Sequence, residues 1–116
     1  MIYTSYFSSR KYKLEDGVSV ARYCKFWRGS TFEALLPSEG LLWWWKHLSP
    51  EEQNESQQYY EYLYREQTLS KLNPAEVAMI LEGKTLLCYE KTGDFCHRHI
   101  IAKWLREAGF ECEELQ

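Results

Sequence analysis

The chain lacks what several specialised protein classes require. Among its 116 residues, no apolar run approaches the ~20 needed to span a bilayer, so no membrane partner is expected. Three Pro and six Gly exclude collagen-like and low-complexity chains. The opening Met1-Ile2-Tyr3-Thr4 has neither the basic nor the apolar stretch of a secretory signal, and the expected location is cytoplasmic. Without such a signal, Cys24, Cys88, Cys96 and Cys112 do not read as a disulfide framework. Cys88 and Cys96 are accordingly expected as free thiols. There is too little chain for a second hydrophobic core, so residues 1–116 are expected to form one domain.

What is present is a globular composition, 45% hydrophobic and 27% charged, rich in Tyr and Trp. Net charge is −3, but its distribution is uneven. Residues 1–28 set Arg10, Lys11, Lys13, Arg22, Lys25 and Arg28 against Glu15 and Asp16. Residues 84–106 carry five Lys/Arg against Glu90 and Asp94, whereas residues 50–83 carry seven Glu against Arg65 and Lys71. If the two basic segments meet, they form a cationic patch on an acidic protein, better suited to a small anion than to a long nucleic acid.

Element signals are local. Ile2–Phe7 and Val18–Tyr23 read as strands, and Leu41–Leu48, with its three consecutive Trp, as a short helix. Ser49-Pro50-Glu51-Glu52 is a capping box that should start a helix running to about Ser70. Asn73-Pro74 starts another, with Gly83 as its stop. Thr85–Tyr89 is a short apolar run suited to a central strand buried on both faces. From Phe95 to Ala108, Ile100, Ile101, Trp104 and Leu105 form one helical stripe. Phe110–Leu115 reads as an edge strand protected by its Glu residues. The expected fold class is α/β, a small, mostly parallel sheet flanked by helices in one layered domain.

The chemistry concentrates in the strand–turn–helix of residues 88–98. Cys88 and Glu90 lie at the carboxyl end of the expected central strand, where open α/β sheets bind ligands. Asp94 is the expected N-cap, with Cys96 in the first helical turn. His97 shares a face with Ile101 and Leu105 and should point inward, with Arg98 sideways and His99 towards solvent. Several chemistries fit. An anion site would use helix N–H groups with Arg98 and Lys91, and with Arg22 from the second strand if the two basic segments meet. A reactive thiol would use Cys88 or Cys96, its thiolate favoured by His97 and Arg98. A metal site would use Cys88, Cys96 and His97, although the spacing matches no standard zinc pattern and adjacent ligands diverge on a helix; no metal is expected. A structural role would bury both Cys and pair Glu90 with His97 or Arg98.

Leu86-Leu87-Cys88-Tyr89-Glu90-Lys91 followed by Cys96-His97-Arg98, with Ala102 and Trp104-Leu105 behind, resembles the domain of unknown function 488 family. Ser19-Val20-Ala21-Arg22, Trp27-Arg28-Gly29 and Leu36-Pro37 fit the same pattern less specifically, as do Tyr60, Leu69, Leu72 and Pro74. The Trp43–Trp45 triplet lies outside it. The resemblance implies an α/β fold and a shared site but no established reaction.

Two functions therefore stand. In one, the chain is an enzyme acting on a small phosphorylated or nucleobase-containing molecule. Glu90 or His97 is its acid/base, Cys88 or Cys96 its nucleophile or wall, and Arg98, Arg22 and Lys91 its anion holders. In the other, it is a non-catalytic module for a nucleic-acid end or a protein, with basic residues on phosphates and exposed rings on bases. No cofactor is named by either.

Overall fold

The computed structural model describes residues 1–115. Five strands form one wholly parallel sheet: β1 Ile2–Tyr6, β2 Gly17–Ser19, β3 Ser30–Thr31, β4 Thr85–Cys88 and β5 Cys112–Glu114, in the order β3-β2-β4-β1-β5. The apolar run expected as the central strand is β4, buried along its whole length between β1 and β2. Strand registers pair Tyr6 with Cys88 and Thr4 with Glu114.

Five α-helices connect and cover the sheet: α1 Glu39–Lys46, α2 Pro50–Glu55, α3 Gln57–Gln67, α4 Pro74–Leu81 and α5 His97–Glu107. The α/β class follows. The capping box forms, with Ser49 Oγ accepting from the Glu52 N–H and the Glu52 carboxylate accepting from the Ser49 N–H. The single helix expected from Pro50 to Ser70 is broken at Ser56, which adopts φ −105°, ψ 9°. Nothing in α2 is buried, so no core contact holds it in line with α3, which buries Tyr60 and Tyr64. Tyr64 donates its hydroxyl to the Leu35 carbonyl at 2.6 Å, anchoring the chain between β3 and α1.

Helix α5 packs on β1, β4 and β5 through the expected apolar stripe. Ile101 and Leu105 are fully buried, whereas Trp104 lies at the edge of the core. The helix begins two residues later than the Asp94 cap implies: Cys96 is its N-cap, with φ −156° and ψ 147°. Gly93, at φ 96°, turns the chain before it.

Candidate functional site

The carboxyl ends of β2 and β4 and the start of α5 enclose a cleft of about 70 Å³, lined among others by Arg22, Lys46, Cys88, Glu90, Cys96 and His97. That volume holds only a few waters. It continues into a wider groove along α2 and the α3 start that shares Leu42, Trp45, Lys46, Glu90 and Phe95. A ligand too large for the inner cleft has room to extend along this groove.

His97 sits at the floor, buried as the helical periodicity requires. Its Nε2 lies 2.5 Å from the Val20 carbonyl oxygen, so Nε2 carries the proton it donates there. Nδ1 is left with a lone pair directed at Cys96 Sγ, 3.8 Å away. Burial, helped by the neighbouring Arg98 and His99 charges and opposed by the Val20 bond, lowers the His97 pKa to about 4. At neutral pH His97 is therefore an uncharged electron-pair donor.

Cys88 and Cys96 are joined by a disulfide, which corrects the expectation of free thiols. The expectation followed from the redox state of the cytosol; tertiary structure brings the end of β4 against the residue before α5. Cys24 and Cys112 remain free, and burial raises the Cys112 thiol to about 11.

Arg98 departs from its expected sideways position and is completely buried. Its Nε and Nη2 donate to the two Glu114 carboxylate oxygens at 3.0 and 2.7 Å. Nη1 donates to the Glu90 carbonyl at 2.5 Å and approaches Cys88 Sγ at 3.0 Å. Arg98 thus does hold an anion, but the anion is Glu114, and its guanidinium does not line the cleft. Glu114 also accepts from Thr4 and Thr92 at 2.6 and 2.8 Å. Burial alone would raise its pKa; these hydrogen bonds and the Arg98 charge outweigh it and hold Glu114 below the usual carboxylate value. Sequence reasoning read the Glu residues of the last strand only as edge protection.

Glu90 lies beyond the end of β4, so strand alternation no longer orients it. Its exposed carboxylate reaches the cleft rim and pairs with neither His97 nor Arg98; only its carbonyl meets Arg98. Arg22 enters the same cleft from beyond β2, its Nε donating to the Pro37 carbonyl at 2.8 Å. Lys46 joins it from α1, a residue the sequence alone did not place there. Lys91 is exposed on the turn after Glu90 and does not line the cleft. His99 is half-buried rather than fully exposed, with its pKa lowered chiefly by burial.

The Trp triplet divides three ways. Trp43 is exposed and stacks on His47 at 4.0 Å. Trp44 meets Tyr59 edge-on, and Trp45 packs against Tyr60 and Phe95 to form an aromatic wall of the cleft.

A parallel α/β sheet, with sulfur, imidazole, carboxylate and cationic groups gathered past the ends of its central strands, defines the class of this protein. The sequence profile of the family described as Domain of unknown function DUF488 matches residues 27–105, and the chain belongs to that family. No curated protein and no solved structure matches it. Among the described residues, no helix is long and apolar enough to cross a membrane.

Proposed function

We propose that the chain is an enzyme acting on a small phosphorylated molecule with a planar ring, of the nucleotide type. The observation that carries this reading is the single cleft shared by Glu90, Arg22, Lys46 and the Cys88–Cys96–His97 floor. Arg22 and Lys46 supply two cations for a phosphate. Trp45, Tyr60 and Phe95 supply ring faces and edges for a base. Glu90, exposed at the rim and free of a salt bridge among the described residues, serves as general acid/base. His97 stays uncharged at neutral pH and shapes the floor rather than shuttling protons.

Turnover across a nucleotide and phosphorylated-metabolite panel tests the reading. Wild type should consume at least one compound, and Glu90→Gln should lower that rate by about 100- to 10,000-fold. Arg22→Ala and Lys46→Ala should mainly raise KM. Equal rates for wild type and Glu90→Gln on every compound would overturn it.

A second reading, a non-catalytic site for a nucleic-acid end, has its own support. Phe7, Phe26, Trp27 and Tyr89 cluster with centroids 5.0–5.9 Å apart, and Phe26 and Tyr89 are exposed next to the basic loops. Single-strand affinity that falls steeply with salt, without turnover, would select this reading.

A further inference from the structure

We propose that the reduced chain binds one zinc ion through Cys88 Sγ, Cys96 Sγ and His97 Nδ1, with the fourth coordination position open to the cleft. The ligand atoms of these three buried residues all lie within 4.8 Å of one another. Two sulfurs and one imidazole with an open position form one of the donor sets of catalytic zinc.

Three features prepare the cluster. His97 donates Nε2–H to the Val20 carbonyl, which leaves Nδ1 as the free donor and holds the ring in place. A backbone carbonyl on the distal nitrogen is one of the common outer partners of a metal-binding histidine. Arg98 Nη1 lies 3.0 Å from Cys88 Sγ and sets a positive charge beside that ligand atom. The Arg98 charge is itself balanced by Glu114, so two thiolates and a dication add no net charge to the interior.

The backbone agrees. The Cα atoms of Cys88 and Cys96 are 7.5 Å apart. Two thiolates on one tetrahedral zinc, each ~2.3 Å from the metal, sit ~3.8 Å apart, a span that this backbone separation accepts. Nor do adjacent ligands at positions 96 and 97 diverge as they would on a helix. Cys96 is the extended N-cap residue, and only His97 is helical, so their side chains meet over one point.

The inference deepens the proposed function: its open position rests on that cleft being the active site, whereas the binding of metal does not. A zinc there would lower the pKa of a bound water, beside Glu90 at the rim.

The test uses the full chain, reduced with a phosphine and freed of metal. Zinc titration against a chromogenic chelator should give one ion per chain. Cobalt in its place should give the visible bands of a tetrahedral site with thiolate-to-cobalt charge transfer. X-ray absorption on the zinc form should show two sulfurs at about 2.3 Å and nitrogen at about 2.0–2.1 Å. Cys96→Ser and His97→Gln should each weaken binding by about 100-fold or more, while Cys24→Ser leaves it unchanged. Absence of zinc binding by reduced wild type, or a zinc shell without sulfur, overturns the proposal. The wild-type spectra decide it even if a variant fails to fold. Zinc bound as described, with no turnover on any panel compound, would sink the enzymatic reading and leave the metal site standing.

Discussion

Arg98 and Glu114 form a two-pronged ion pair that ties the first turn of α5 to the last strand, with the arginine wholly withdrawn from water. The pair closes the sheet edge, because Thr4 of the neighbouring strand donates to the same carboxylate. Removing one partner leaves a buried charge uncompensated. Glu114→Gln should therefore cost about 3 kcal/mol, read as a lower urea midpoint with an unchanged slope.

The same carboxylate gives an acid-side dependence. Its folded pKa lies below the usual 4.5, so its contribution is complete above that pH. It is lost as pH falls through the folded value. Thermal melts from neutral pH downward should show a steeper acid loss for wild type than for Glu114→Gln.

His97 acts in a higher window. Its pKa is 6.5 when exposed and about 4 in the fold, so the unfolded chain binds the proton first. The stability of the neutral buried ring is complete above about pH 6.5 and is lost progressively down to about pH 4. The loss should total about 3 kcal/mol. His97→Gln should flatten the melting profile across that interval.

Trp27 lies against two glycines that leave it room. A Cβ at Gly17 would come within 2.7 Å of the Trp27 ring and 2.8 Å of Leu87 Cδ1. Gly17→Ala should cost about 1–3 kcal/mol by overpacking. Displacement of the ring, whose Nε1 donates to the Ser30 carbonyl at 2.8 Å, should appear as a change in tryptophan fluorescence.

Tyr64 is fully buried and its hydroxyl is the donor to the Leu35 carbonyl. Tyr64→Phe keeps the ring and leaves that carbonyl unpaired. Chemical unfolding should show a loss of about 1–2 kcal/mol.

What the sequence determined by itself is local. The Ser49 capping box and the Asn73 cap act over two or three residues, and both form as the residue pattern requires. The apolar run at Thr85–Cys88 has no polar face to offer water, so it had to be the central strand. The 3.6-residue period of α5 sent His97 inward beside Ile101 and Leu105.

Tertiary structure decided the rest, because each remaining feature joins residues whose distance is set by strand register or loop path. Glu114 meets Arg98 only because β5 adds to β1 in parallel with Thr4 opposite Glu114. Cys96 meets Cys88 and His97 only because the turn at Gly93 delays the helix, leaving position 96 extended. Arg22 and Lys46 share a cleft only because β2 lies beside β4 and α1 folds over their ends. No periodicity along the chain encodes such meetings; they follow from how the parallel strands are ordered and how their ends are covered.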